Sequence, residues 1–511
     1  MKTTRRHVLK TGLAAGLAFP FLPDFSIAKT LPMPTWQKLP FWRGFNLQEK
    51  FVLQYGTGPF QEADFRMISE LGFNFVRLPM DYRTWIVDND WRKFDEKILK
   101  EIDDAVTYGE KYGIHVNINF HRAPGYTVAP PAEEKSVWTD DETLEVCTLH
   151  WVTFAKRYKK FPNELVSFNL FNEPAGVEPM RYMDVHRKII DAIRSEDSGR
   201  LIICDGIDHG TRPFLPLVDL KVAQATRGYA PLEISHYKAG WVNSDDFPYP
   251  TWPMVFINGM LPSPSKTELP EASRKPLVFD GPFPSVTKLR LHVGTVSSRS
   301  QLVVQADGKT IFEHQFIPGP GQGEWKKSAY QPQWNTYHNL YDRDYETTIP
   351  AGTKQVTVFT ADGGWISLME IGLLSEKHDK ETTVNASPSW GQPSSQLEYR
   401  ETAADTRLTG GTVYDRKWLK YSMIEPWQKL EKAGSGVMVG EFGSLHQTPH
   451  DVVLRWLGDS IANWNEAGWG YAMWNFRGAF GILDSERADV DYEDFHGHKL
   501  DRKLLELMHQ Y

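Results

Sequence analysis

The chain has 511 residues, 41% hydrophobic and 24% charged, a balance typical of a soluble globular protein of two or three domains. This composition excludes collagen-like, coiled-coil and largely disordered chains. The formal net charge of −8, with no Lys/Arg stripe in the sequence, argues against nucleic acid or another polyanion as a partner.

The N-terminus has the pattern of an export signal. Arg5 and Arg6 precede a weakly hydrophobic stretch, and the small residues Ser26 to Ala28 follow where a signal peptidase would cut. An amphipathic first helix is the alternative, but Pro20 interrupts the apolar run, which is also too short to span a bilayer. We predict that residues 1–28 are a twin-arginine signal peptide and that the mature chain is periplasmic or secreted, with no membrane association.

Short apolar runs alternate with helical patterns from residue 41 onward. Strands that are apolar throughout, separated by amphipathic helices, indicate a parallel sheet covered on both faces. Eight runs are found, which predicts an α/β fold, a (β/α)8 barrel, formed by residues 36–261 and 396–511. The runs are FWRGFNL, FNFVRLPM, HVNINFH, LVSFNLFNEP, LIICDGI, VAQATRGY, VMVGEFG and WGYAMWNF.

Between the sixth and seventh runs the pattern becomes that of an all-β module. Residues 262–395 are rich in Pro, Gly, Ser and Thr, and their strands alternate apolar and polar residues between Asp-Gly turn signals. We predict an inserted β-sandwich of the carbohydrate-binding type, near the face where barrel active sites are built. Its aromatic residues fit a sugar-binding surface and equally a structural lid that binds nothing: Trp325, Trp334 and Trp365.

Two glutamates follow apolar barrel strands. Glu173 lies in Asn172-Glu173-Pro174 after LVSFNLF, and Glu441 lies in MVGEFG. Retaining glycoside hydrolysis requires two such carboxyls facing one cleft, one to protonate the leaving oxygen and one to attack the anomeric carbon. Each glutamate alone is a weak signal, because buried glutamates also form structural salt bridges. The occurrence of both glutamates at the ends of barrel strands is a stronger signal.

On these motifs the sequence resembles glycoside hydrolase family 5, the cellulase-like enzymes whose catalytic glutamates lie on strands four and seven. The resemblance covers the barrel and leaves the insert out. It implies that Glu173 is the acid/base and Glu441 the nucleophile of an O-glycosyl hydrolase. It also implies substrate-site roles for residues that match the family's pattern: Arg77 beside the nucleophile, His121 in the sugar site, Asn172 on the sugar 2-hydroxyl and Trp474 as an aromatic platform.

Strand six departs from the family's His-x-Tyr-x-Pro pattern. In TRGYAPLEISHYKAGW, alignment on Pro231 places Tyr229 at the tyrosine that hydrogen-bonds the nucleophile, while Arg227 stands where the histidine is expected. A second register would take His236 and Tyr237 as the pair, but it loses the spacing and the proline. We favour Tyr229, with His236 as a further cleft residue, and read Arg227 as a sign of a different subsite.

Aromatic residues make up 13% of the chain and suit half-wet surfaces such as sugar clefts. Five tryptophans in or near loops after strands are candidates for further sugar subsites, about half of which we expect to be packing residues. They are Trp42, Trp85, Trp138, Trp241 and Trp252.

The sequence thus predicts a monomeric, cellulase-like endo-β-glycanase that acts on polysaccharide or oligosaccharide by double displacement, without cofactor or metal. The 16 histidines are dispersed, and no His-Glu-x-x-His motif occurs. Two alternatives remain: an exo-acting glycosidase whose cleft the insert blocks at one end, and a sugar-binding protein that has lost catalysis.

Overall fold

The computed structural model describes residues 31–55, 57–242, 244 and 247–510. The predicted export signal, residues 1–28, lies outside this part of the chain. Within it, no helix combines the length and apolar character that crossing a membrane requires.

Eight parallel strands close into a barrel, because the first strand pairs with both the second and the last. This confirms the predicted (β/α)8 fold. Every residue of the second and third strands is buried, as expected for strands covered on both faces. The barrel strands are β1 (Arg43–Asn46), β2 (Phe75–Asp81), β3 (His115–Ala123), β4 (Val166–Asn169), β5 (Ile202–Asp205), β6 (Ala223–Gly228), β7 (Val437–Phe442) and β8 (Tyr471–Met473).

Helices pack around the outside of the barrel. The second helix shows how its sequence sets its ends: the Asp95 side chain accepts the first backbone N–H groups, and Gly113 ends it in a left-handed conformation. The main helices are α1 (Glu62–Glu70), α2 (Glu96–Tyr112), α3 (Asp141–Tyr158), α4 (Pro179–Glu196), α5 (Glu425–Lys432), α6 (His450–Ala467) and α7 (Arg502–His509).

Shorter elements complete the barrel loops. A 3₁₀ segment, Leu215–Leu220, takes the helix position between β5 and β6. Other single turns are Leu53–Tyr55, Tyr82–Trp85, Ile207–Gly210, Leu232–Ser235, Arg416–Leu419 and the π-helical Lys420–Ile424. Short loop strands are Ile86–Val87, Asp90–Phe94, Tyr126–Thr127, Glu493–Phe495 and His498–Leu500.

A second sheet of ten strands lies between β6 and β7 and encloses its own apolar core. Two long strands run through its centre and pair along their lengths with several register shifts. The strands are Met260–Pro262, Leu277–Phe283, Thr287–Ala306, Lys309–Phe316, Lys327–Gln331, Thr336–Ile349, Thr353–Ser375, Thr382–Asn385, Gln396–Glu401 and Thr406–Gly410. Two 3₁₀ turns connect them, Glu271–Arg274 and Pro332–Trp334.

This sheet extends past the boundaries predicted for the insert, 262–395. Gln396–Glu401 and Thr406–Gly410, assigned to the barrel from the sequence, pair within the second sheet. The Pro/Ser-rich stretch before residue 396 predicts a return to the barrel, but the chain forms two more strands after it. Beyond the sheet, Met254–Phe256 pairs antiparallel with Thr412–Tyr414, so the two connections to the barrel run side by side.

Candidate active site

A buried set of charged and amide side chains lies at the C-terminal ends of the barrel strands. Six of them come from β1, β2, β4, β5, β6 and β7 and are at most 3% exposed. Together with Asn172 and Glu173, which follow β4, we call them the polar network. The six are Asn46, Arg77, Asn169, Asp205, Arg227 and Glu441.

Arg77 fixes the carboxylate of Glu441. Its Nη1 donates to Glu441 Oε1 at 2.6 Å, and its Nη2 donates to Asn172 Oδ1 at 2.9 Å. Further bonds to the side chains of Asn46 and Asn169 engage the rest of the guanidinium, so its orientation is set by four acceptors. The Tyr229 hydroxyl donates to the other carboxylate oxygen, Oε2, at 3.2 Å. Both oxygens of Glu441 are therefore held.

The backbone of Glu173 adopts a left-handed conformation with φ of 50°. This region is sparsely populated by residues other than glycine and persists where neighbours enforce it. Here Glu173 N donates to Asp205 Oδ2 at 2.9 Å, and the Tyr126 hydroxyl donates to Glu173 O at 2.8 Å. The side chain keeps 18% exposure, so the carboxyl faces accessible space while its backbone is anchored.

Arg227 connects the two glutamates. Its Nε donates to Glu173 Oε1 at 2.7 Å, and its Nη2 lies 3.3 Å from Glu441 Oε1. The same Nη2 donates to Asn172 Oδ1 and forms an ion pair with Asp205. The arginine that replaces the expected histidine thus contacts every carboxyl of the polar network.

The charges of the polar network favour a proton on Glu173. Two guanidiniums balance two of its three carboxyls, so a third negative charge would be buried without a cation of its own. The pKa of Glu173 is raised to about 7: burial is the largest cause, the guanidinium of Arg227 opposes it, and the charges of Glu441 and Asp205 add to it. A carboxyl poised in this way can give up and regain a proton near neutral pH.

His121 is held as a neutral ring beside the polar network. Burial, together with the positive charges of Arg77, Arg227 and Arg122, holds the pKa of His121 well below its usual value. Its Nε2 lies 3.4 Å from Asn172 Nδ2, which fits an amide donating to an unprotonated nitrogen. Trp474 lies next to this ring, with centroids 5.5 Å apart, and is partly exposed.

Tyr229 and His236 lie together, with ring centroids 5.1 Å apart. Burial lowers the pKa of His236 to about 4, and its Nδ1 lies 2.8 Å from the Ser235 hydroxyl. The structure therefore brings the predicted residues of β2, β3, β4, β6, β7 and β8 around one opening. The alternative pairing of His236 with Tyr237 does not reach Glu441, whereas the Tyr229 hydroxyl does.

The further tryptophan candidates divide clearly. Trp42, Trp85, Trp138 and Trp252 are buried and serve as packing residues, so the sugar-subsite interpretation is wrong for them. Trp241 is 64% exposed, and its ring lies 6.0 Å from that of His236. It remains a candidate beside the opening.

Sequence reasoning missed Asp205, which pairs with Arg227 and accepts the backbone N–H of Glu173. The rule that identified Glu173 and Glu441, a carboxylate at the end of an apolar barrel strand, applies equally to Asp205 in LIICDGI. Asn46 and Asn169 were also missed, and each is the last residue of its strand. Tyr126, from a loop strand, gave no comparable signal.

Comparison with protein families gives one match for this region. Residues 37–248 match the model of the cellulase family, glycosyl hydrolase family 5. The matched range contains β1 to β6 and most residues of the polar network, and it ends before the insert.

Among characterised proteins, Endoglucanase C of Acetivibrio thermocellus is 28% identical over 187 residues, which cover 36% of this chain and 54% of that protein. Cellodextrinase A of Ruminococcus flavefaciens is 29% identical over 187 residues, or 35% of this chain and 54% of that protein. The chain thus spans about half the length of these relatives. A crystal structure described as that of a glycoside hydrolase aligns over 92% of this chain and 98% of its own, at 24% identity and a TM-score of 0.59, and shares the fold.

Proposed function

We propose that this chain, whose residues 37–248 match the model of glycosyl hydrolase family 5, hydrolyses β-linked polysaccharide with retention of anomeric configuration. One observation carries this proposal: Glu173 and Glu441 contact the same guanidinium, that of Arg227. Because both carboxyls contact the side chain of Arg227, they lie close to each other. Retaining enzymes hold theirs about 5 to 5.5 Å apart, whereas inverting enzymes leave room for a water between them.

In the first step, a carboxylate oxygen of Glu441 forms a bond to the anomeric carbon. The bond from that carbon to the glycosidic oxygen breaks, and Glu173 gives its proton to the departing oxygen. The raised pKa of Glu173 suits this role, because the acid must still carry its proton near neutral pH. The products are a shortened sugar and a glycosyl ester of Glu441.

In the second step, Glu173 acts as a base. Its carboxylate takes a proton from a water molecule whose oxygen bonds to the anomeric carbon, and the ester bond to Glu441 breaks. The sugar leaves with its original configuration, and both glutamates return to their starting states. The net reaction consumes one water for each glycosidic bond cleaved.

The remaining residues position these two groups. Arg77 and Tyr229 hold one oxygen each of Glu441, which leaves the carboxylate oriented but still available for attack. Asn172 accepts hydrogen bonds from both arginines, so its amide N–H₂ is directed toward His121 and the opening. We propose that Asn172, His121, His236 and Trp474 contact the sugar.

We favour internal cleavage of a β-linked glucan. Two relatives are named endoglucanase and cellodextrinase, which supports glucose units. Exo cleavage is the second candidate, because the insert follows β6 and lines a cleft together with Pro231, two residues after Tyr229. Digestion of soluble β-glucan, glucomannan and xylan, with products separated by length, distinguishes the two. Mixed oligosaccharides indicate an endo enzyme, and a single short product indicates an exo enzyme.

Azide rescue tests the roles of the two glutamates. Glu441→Gly should be inactive, and azide should restore cleavage of an activated aryl glycoside with formation of an α-glycosyl azide. Glu173→Ala treated in the same way should give the β-glycosyl azide. Glu62→Gln, on the surface of α1, is the control and should keep wild-type activity. The retaining mechanism is wrong if proton NMR shows the inverted anomer first, or if either variant keeps full activity.

We also propose that the chain is exported by the twin-arginine route, on the strength of Arg5 and Arg6, the weakly hydrophobic stretch after them and the small residues Ser26 to Ala28. Replacement of both by lysine should leave the enzyme in the bacterial cytoplasm, as measured by fractionation. Replacement of Lys2 by arginine is the control and should leave export unchanged. Export of the doubly substituted chain would contradict the proposal.

A further inference from the structure

A cleft of about 1010 Å³ lies where the insert meets the barrel. Its volume is at the upper end of the range of about 300 to 1,000 Å³ typical of small-molecule sites. Aromatic side chains line it from both sides: His338, Trp365 and Trp390 from the insert, and Phe247, Tyr414 and Trp418 from the barrel side. Neither part of the chain forms this cleft alone.

The insert side presents a row of four rings. Trp334 stacks on His338 at 5.6 Å between centroids, His338 meets Trp365 at 5.0 Å, and Trp365 meets Trp390 at 6.3 Å. The two end rings are exposed, Trp334 by 64% and Trp390 by 47%. A contiguous row of aromatic rings whose two ends are exposed is costly to leave in water and indicates a surface that contacts a ligand.

Polar groups that line the cleft along with the rings narrow the class of ligand. Glu233, Asp342 and Gln392 line the same cleft. Burial raises the pKa of Glu233, and its carboxyl forms no ion pair within the part of the chain that the structure describes. Rings and acceptors that line one cleft suit a sugar, which offers apolar C–H faces and hydroxyl donors together. Carboxylates disfavour a nucleic acid, and polar groups disfavour a lipid chain.

The cleft adjoins the candidate active site through the turn after β6. Pro231 and Glu233 line the cleft, and Tyr229, two residues before Pro231, donates to Glu441. His236, three residues after Glu233, packs its ring against that of Tyr229. One turn of chain therefore separates the two surfaces.

We propose that the cleft between insert and barrel is a second, non-catalytic site that binds a β-linked glycan chain beside the reacting bond. The class of ligand rests on the proposed function, whereas the site rests on the ring row and its polar neighbours. A glycan held there increases the local concentration of substrate at the catalytic carboxyls.

Affinity electrophoresis on the full chain tests this site, with barley β-glucan, glucomannan and arabinoxylan each cast into a native gel. The double variant Trp365→Ala/Trp390→Ala should bind the polymer that retards wild type about tenfold more weakly. Its kcat and KM on a small aryl β-cellobioside should be unchanged. The control is Phe41→Ala, which removes an exposed ring just before β1, at the opposite end of the barrel.

Equal retardation of the double variant and wild type would overturn the proposal, as would the absence of retardation of wild type in all three gels. If the double variant also loses activity on the small substrate, the single variant Trp390→Ala decides, because its ring is already half exposed. Retardation that depends on the tryptophans in a chain that hydrolyses nothing would support the site and refute the proposed function.

Discussion

The barrel and the insert enclose interiors of opposite character. The insert's core is built from apolar side chains of its sheet strands. The barrel has an apolar core too, but the C-terminal ends of its strands hold two guanidiniums and two carboxyls out of water, with a third carboxyl, that of Glu173, 18% exposed. Buried charges cost free energy unless they are paired and hydrogen-bonded, so such a cluster is expected where chemistry uses it. The insert buries the carboxyl of Glu401 to a similar extent, but hydroxyl groups of Ser285, Ser375 and Tyr399 donate to it, and no guanidinium of the described residues is among its hydrogen-bond donors.

Removal of Arg77 should have the largest effect on both stability and activity. Arg77→Gln leaves the buried carboxylate of Glu441 without its main cation, which should cost about 3 to 5 kcal/mol of the free energy of unfolding. The misoriented nucleophile should lower kcat by about 10²- to 10³-fold. Chemical denaturation and steady-state kinetics measure the two losses. A stable and active variant would show that the buried charge is dispensable.

Arg227→Gln should lower kcat by about 10- to 100-fold and change the pH profile. The acid must be protonated, so wild-type activity should fall as the pH rises through about 7. Loss of the nearby cation raises the pKa of Glu173. The alkaline limb of the profile, where activity falls, should therefore move to a pH about one unit higher. Arg227→Lys, which keeps the charge, should restore the limb toward its original position. If the alkaline limb of Arg227→Gln stays at the wild-type pH or moves to a lower pH, Arg227 does not control the protonation of Glu173.

Tyr229→Phe removes one hydrogen bond to Glu441 and little volume. A hydrogen bond to a charged group contributes about 1.5 to 3 kcal/mol, and Arg77 still holds the other oxygen. We expect kcat to fall about tenfold while the melting temperature stays near that of wild type. Tyr237→Phe, on the same turn, is the matched control and should have wild-type kinetics. Equal effects of the two variants would show that Tyr229 has no special part in catalysis.

Phe279→Ala, in the core of the insert, should affect stability alone. Phe279 is completely buried, and truncation of such a ring costs about 3 to 5 kcal/mol through lost burial and a cavity. Turnover of a small aryl glycoside below the unfolding transition should be unchanged, because no residue of the polar network lies in the insert. A lower kcat would mean that the insert core sets the geometry of the catalytic carboxyls.

The barrel could be predicted from the sequence because strands buried on both faces read as apolar runs with helices between them. The end of the insert could not, since Gln396–Glu401 and Thr406–Gly410 follow a stretch with the composition of a linker. Alternation of apolar and polar residues over five or six positions is a weaker signal than that change of composition. The structure shows that the chain crosses the second sheet twice more before it returns.

Residues of the candidate site could be predicted from the sequence where the end of a barrel strand alone brings the side chain to the site. Glu173 and Glu441 end apolar strands, and that rule would also have found Asp205. The contacts of Arg227 follow instead from the reach of one long side chain across the ends of three neighbouring strands, β4, β5 and β6. Sequence spacing carries no information about that reach, so Arg227 stood out only as an exception.

The paired connections between the two parts of the chain have a consequence for engineering. Phe256 lies opposite Thr412 in an antiparallel pair, which is the geometry of a β-hairpin at the point where its turn begins. The insert therefore occupies the place of a hairpin turn, and its two ends meet at adjacent positions. Replacement of residues 257–411 by a two-residue Asn-Gly turn would close the pair, giving a minimal barrel into which other modules can be grafted at the same point.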